Sequence, residues 1–256
     1  KDFSFVSQDS SSYLRDLGHN DGLEQLVDAV EKIDGVKTAR ILYLYPSTTT
    51  HNLIDKIADS KVFVNYFDMP LQHISQNMLK IMKRGKGAEK LIELMNYMKS
   101  KPNSFVRTTF IAGHPGESED DFEELCSFVE EFGFDRGNVF SYSDEEGTSA
   151  ETRDDKIEQE LIDERAEILG DIISQTTIKS LENDIGKSFE VYIDGESEEH
   201  EYLLSARKTI WAPQIDGEIY INDNEDNIPI VFGEIYEVEA TELAGDKLLA
   251  KIIRKV

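Results

Sequence analysis

The stretch "VNYFDMPLQHISQNMLKIMKRG", residues 64–85, begins as an apolar run of strand composition, breaks at Pro70, and resumes after Ser75 with helical spacing. Proline cannot donate to a strand ladder, and serine is a good cap for the helix that follows. The unit therefore reads strand, loop, helix, and its loop sets Gln72, His73 and Ser75 side by side. The same grammar recurs on both sides. "FSFVSQD", "ARILYLYP", "SFVRTTFIAG" and "GNVFSYS" have strand composition, while helical spacing predicts helices over "LEQLVDAVEKI" and residues 50–59, 75–83, 88–100 and 119–132. Strands alternating with helical crossovers imply a parallel α/β sheet with right-handed connections, either doubly wound or closed as a partial barrel.

Between residues 155 and 183, Ile157, Leu161, Ile168, Ile172 and Leu181 recur at helical spacing, which predicts one long helix leaving the sheet. Beyond Gly186 the pattern changes. The runs "SFEVYID", "EYLLSAR", "GEIYIND", "EIYEVEATEL" and "KLLAKIIRKV" alternate and are separated by Gly, Asp and Asn turns, which predicts a small five-stranded β-barrel. The expected division is residues 1–183 and 184–256. "DGESEEHE" reads as a solvated hairpin tip.

With 256 residues, 39% hydrophobic and 31% charged, the chain has the composition of a soluble globular protein. No apolar run is long enough to cross a membrane, the first residues lack a signal-peptide pattern, and one cysteine, Cys126, forms no internal disulfide framework. A reducing cytoplasm is the expected location. The net charge of −25 opposes non-specific nucleic-acid binding, which draws on Lys and Arg, and favours a basic partner; acidity also serves solubility alone.

In parallel α/β folds ligands sit beyond the carboxyl ends of the strands. The first strand is followed by Gln8 and Asp9, the third by Gln72, His73 and Ser75, and the fourth by Gly113, His114, Pro115, Gly116 and Glu117. Each has a purely structural alternative. Ser75 suits a helix cap, His73 can satisfy a loop carbonyl, and "GHPGE" is ordinary turn chemistry.

"QDSSSY", "LYLYP", "FDMPLQHIS" with "LKIMKRG", "RTTFIAGHPGE" and "FSYSDEEGTSA" occur in that order, and together they resemble the radical S-adenosylmethionine methylthiotransferases. The C-terminal strands resemble the family's TRAM domain, so the likeness covers nearly the whole chain. "PLQHIS" is closer to the branch that modifies an aspartate of a small-subunit ribosomal protein than to the tRNA-modifying branch. The resemblance implies a partial barrel in which S-adenosylmethionine lies beside an iron–sulfur cluster. It also implies reductive cleavage of that cofactor, hydrogen abstraction from the target β-carbon, and sulfur insertion. It assigns Gln8 and Asp9 to the methionine end of the cofactor and Gln72 and His73 to the cofactor or substrate pocket. Gly113 would admit close backbone approach, Glu117 would brace that loop, and Tyr142 joins the same set. Arg84 and Arg107 would reach carboxylates of cofactor or substrate, with surface pairing as the alternative. No catalytic residue is singled out.

The family holds two [4Fe–4S] clusters on cysteine triplets, and neither triplet is in this sequence. Cys126 in "FEELCSFVEEF" shares a helical face with Phe122 and Val129, the pattern of a buried structural thiol rather than a ligand. The resemblance therefore implies a segment of a longer enzyme, lacking a first strand and the cluster loop, and inactive alone. Residues 184–256 carry about 17 acidic and 7 basic side chains, a balance that repels RNA and suits a basic ribosomal protein. Trp211 is either an exposed contact or a core residue. The rival readings are a tRNA methylthiotransferase and a non-enzymatic module that captures a basic partner.

Overall fold

The computed structural model describes residues 1–224 and 227–256, so Glu225 and Asp226, two of the acids counted above, lie outside the described residues. Two compact units result, residues 1–176 and 177–256.

In the first unit, β1 (Asp2–Phe5), β2 (Thr38–Ile41), β3 (Phe63–Asp68), β4 (Phe105–Ala112) and β5 (Arg136–Ser141) form one parallel sheet. Their spatial order is their chain order, which selects the partial barrel over the doubly wound alternative. The crossovers carry α1 (Gly22–Val30), α2 (His51–Ala58), α3 (Gln76–Ile81), α4 (Ala88–Lys99) and α5 (Glu119–Phe132). Their apolar faces bury Val27, Ile54, Ile57, Leu94, Met95, Leu125 and Val129 against sheet residues such as Ile41, Phe67, Val106 and Phe110. Because side chains alternate along a strand, Arg107 and Thr109 occupy the face opposite Val106 and Phe110.

The helix expected to leave the sheet, α6 (Gln159–Glu182), packs on it instead. Leu169 and Ile173 join the core, and Ile162 is buried as well. Leu161 and Ile168, read from sequence as the apolar stripe, are 37% and 42% exposed. The helix carries two apolar stripes one residue apart, and the sheet takes the one that presents Ile162, Leu169 and Ile173. Leu181 is buried as expected.

In the second unit, β6 (Ser188–Glu196), β7 (Leu204–Lys208), β8 (Ile219–Asp223), β9 (Ile235–Ala244) and β10 (Lys247–Lys255) close into a barrel in the order β10, β8, β7, β6, β9. Val191, Ile193, Ile219, Val238, Leu248 and Ala250 fill it. Trp211 is 2% exposed, which makes it a core residue rather than a contact. The tip between β6 and β7 is less free than its composition suggests, because Glu199 accepts from Lys247 Nζ and Tyr220 Oη.

Candidate functional site

Polar groups gather at the carboxyl ends of the strands, where the helices begin. Ser75 caps α3: its hydroxyl accepts from Met78 N at 3.1 Å and donates to Asp121 Oδ1 at 2.5 Å. Asp121 lies in the first turn of α5 and also accepts from Asn77 and from the Ser118 hydroxyl and amide, completing a capping box. Burial alone would raise its carboxyl, but these donors hold it down to about 2. One carboxylate thus ties the starts of α3 and α5 together.

Beside that pair is a second, deeper network. The side chains of His73 and Glu117 are fully buried. His73 Nδ1 accepts from Ser75 N at 3.1 Å, which places the ring proton on Nε2. That nitrogen lies 3.5 Å from Glu117 Oε2 without a well-formed hydrogen bond. Glu117 accepts from Gly113 N at 3.2 and 3.1 Å and from Arg165 Nη1 of α6 at 2.8 Å. The "GHPGE" loop is therefore braced from inside the protein. Gly113 has φ +80°, and a Cβ there would meet Ile162 at 2.6 Å, so packing against α6 already requires glycine. Its amide is engaged by Glu117.

A third cluster joins β2, β3 and β4. Asp68 Oδ2 accepts from Tyr43 N and Oδ1 from Arg107 Nη1, both at 3.1 Å. Burial pushes the Asp68 carboxyl above its usual range, against the pull of the Arg107 charge. Arg107 is thus a buried partner of Asp68, not a surface pair. Arg84 is also held internally, donating to Pro70 O at 2.6 Å with its guanidinium 4.7 Å from the Tyr45 ring.

Toward the sheet edges the site opens. Both oxygens of Asp9 accept hydroxyls, from Ser11 at 2.6 Å and Ser12 at 2.5 Å, while Gln8 is exposed. Ser10 N donates to Tyr43 O, which joins the ends of β1 and β2. Beyond β5, Tyr142 N donates to Ala112 O and its hydroxyl to Asp144. Burial, followed by Asp144, pushes the Tyr142 phenol up to about 12. His114 meets the Tyr142 ring edge-on at 5.0 Å, and burial lowers its imidazole.

The structure brings Gly113, Glu117 and His73 into one network. It sets Arg107 deeper in the sheet and leaves Gln8 exposed after β1 and Gln72 partly exposed after β3. Sequence reading missed Asp68, Tyr43, Asp121 and Arg165. Arg165 left a signal: it falls on the stripe of Ile162, Leu169 and Ile173, a charge among core positions.

Comparison with known proteins fits this layout. Residues 8–129 match the radical SAM superfamily and residues 185–253 the TRAM domain. The chain is 79% identical over 255 residues to the ribosomal protein uS12 methylthiotransferase RimO of Aliarcobacter butzleri, covering 99% of this chain and 57% of that protein. Along nearly its whole length the chain resembles curated RimO proteins, and it carries matches to the radical SAM and TRAM domains. The Sulfurovum RimO is 61% identical over 99% of this chain and 57% of its own length, so the chain spans a little over half of these curated relatives. Streptococcus suis SuiB, solved with S-adenosylmethionine bound, aligns at a TM-score of 0.44 and 18% identity over 68% of this chain and 35% of its own.

The likeness to RimO proteins and the radical SAM match imply S-adenosylmethionine and iron–sulfur clusters. The residues present do not fit a cluster. Cluster iron takes cysteine thiolates, and the one cysteine, Cys126, packs half-buried against the core with its thiol pushed up to about 11 by burial and then by Glu117. Among the described residues no group of three or more His, Cys, Asp or Glu is placed to hold a metal ion. At the strand ends Gln8 and Gln72 carry amides that both donate and accept, while both carboxylate oxygens of Asp9 are taken by Ser11 and Ser12. No helix among the described residues is long and apolar enough to cross a membrane.

Proposed function

We propose that these residues form the cofactor-holding sheet and the TRAM barrel of a cytoplasmic enzyme that methylthiolates an aspartate of ribosomal protein uS12. The observation that carries this reading is the 79% identity to a RimO along 99% of the chain. S-adenosylmethionine, when bound, supplies the radical chemistry for which the superfamily is named. The chain's own residues do the holding. Gln8 and Asp9 at β1 receive the polar end of the cofactor. Glu117, set by Arg165 and flanked by His73, fixes the Gly113 loop that closes one side of the mouth. The barrel, with about ten more acidic than basic side chains in residues 184–256, draws the basic protein substrate by long-range attraction.

The test is incubation of the whole enzyme that contains these residues, its iron–sulfur clusters reconstituted, with S-adenosylmethionine, a reductant, sulfide and either uS12 or tRNA, followed by mass spectrometry. The expected product is one methylthio group on an aspartate of uS12. Modified tRNA with unmodified uS12 would overturn the substrate, and capture of uS12 without any product would favour a binding module.

A further inference from the structure

Tyr43 and Gln72 are both non-glycine residues with left-handed backbones, φ +59° and +69°, and they follow the neighbouring strands β2 and β3. L-residues other than Gly, Asn and Asp enter that region at a cost, and a tyrosine there is unusual. The conformation has a structural use at both places. At Tyr43 it resets the strand alternation, so that Ile41 and Leu44 both reach the core. At Gln72 it sits between the fully buried Leu71 and His73. Hydrogen bonds pin both backbones: Tyr43 N to Asp68 and its carbonyl to Ser10 N, Gln72 N to Thr109 O and its carbonyl to Ile111 N.

Glycine would satisfy all of this with less strain. Neither side chain repays the difference through packing, since Tyr43 is 38% exposed and Gln72 is only partly covered. Strain retained for exposed side chains at a strand-end mouth points to an occupant. The chemistry of the pair narrows what that occupant is. Both side chains are uncharged, so they bring no positive charge to neutralise a phosphate chain. A carboxamide pairs with a peptide group as donor and acceptor at once, and a tyrosine ring lies against a planar peptide with little entropy to lose.

We propose that Tyr43 and Gln72 are substrate-positioning residues that hold the polypeptide backbone of the protein substrate across the ends of β2 and β3. This rests on the proposed uS12 reading and adds to it the place where the polypeptide sits.

The experiment compares Tyr43→Gly, Gln72→Gly and Tyr43→Phe with wild type and with Asn103→Gly. Asn103 also has a left-handed backbone but precedes β4, at the opposite end of the strands. Unfolding midpoints are read alongside the uS12 and S-adenosylmethionine affinities of the whole cluster-containing enzyme. The glycine variants should raise the midpoint by about 1–3 °C, after the added freedom of glycine in the unfolded chain is subtracted. The two mouth variants should weaken uS12 binding about tenfold or more and leave cofactor affinity within about twofold. Tyr43→Phe should restore most of the uS12 affinity, and Asn103→Gly should leave it unchanged. A fall in midpoint for Tyr43→Gly would overturn the proposal by showing that the ring has a packing role. So would unchanged uS12 affinity, or a parallel loss of cofactor affinity. If wild type binds no uS12 while the midpoints still rise, the polypeptide assignment falls together with the functional reading it rests on.

Discussion

The two units solve opposite problems with charge. The sheet unit buries Arg40, Asp68, Arg107, Glu117, Asp121 and Arg165, while the described residues of the barrel bury only Arg207 and Asp216. Burying ions costs free energy unless each is paired and hydrogen-bonded, so a fold that does so repeatedly within one sheet unit is fixing positions there. The barrel keeps an apolar interior and leaves its ion pairs near solvent, as in Lys251 with Glu239 at 3.3 Å. Charge in the first unit sets geometry; charge in the second lies mostly near solvent, where we propose it acts on an approaching partner.

The largest expected effect separates those roles. Arg165→Met would strand Glu117 in the interior and should cost about 3–5 kcal/mol, whereas Lys247→Met in the barrel, at a partly exposed pair, should cost about 1 kcal/mol or less. Trp211 is the one tryptophan and lies in the barrel, so its fluorescence follows that unit while circular dichroism follows both. If Arg165→Met shifts the Trp211 transition as far as the dichroism, the contrast between the units fails.

A smaller effect sharpens the account of the helix starts. Ser75→Ala removes the cap of α3 and one donor to Asp121, and should lower stability by about 1–2 kcal/mol in urea titration. It should also change the acid response. Asp121 is held at about 2 in the folded protein against an ordinary 3.8. A depressed carboxyl stabilises fully above its unfolded value, and that contribution, up to about 2 kcal/mol, is lost as pH falls from 3.8 through about 2. Unfolding measured across this range should show a shallower loss in Ser75→Ala. An identical slope in both proteins would remove Asp121 from the explanation.

The smallest effect on stability belongs to the barrel surface. Glu196, Glu198 and Glu201 reversed together to lysine should change folding by only about 0.5 kcal/mol per site, yet slow uS12 association and flatten its salt dependence. Glu199 is excluded because Lys247 and Tyr220 hold it. Salt dependence like that of wild type would reduce the barrel's acidity to a solubility device.

The alternation of strand and helix, the cap at Ser75, and the change to short strands after Gly186 were legible because each depends on residues within a few positions of one another. Glycines, caps and periodic apolar residues act locally, and so did the motif order that marked the family. The tertiary structure decided the rest. Which stripe of α6 faces the sheet depended on Ile162 fitting against Gly113, about fifty residues away in sequence. His73 became an inward residue because Ser75 and Glu117 converge on it from different loops. Arg107 was drawn to Asp68 by strand register, Asp68 beside Arg107, and not by any local pattern. Burial of a charge depends on whether a distant partner arrives with the right geometry, and only the assembled fold brings those partners together.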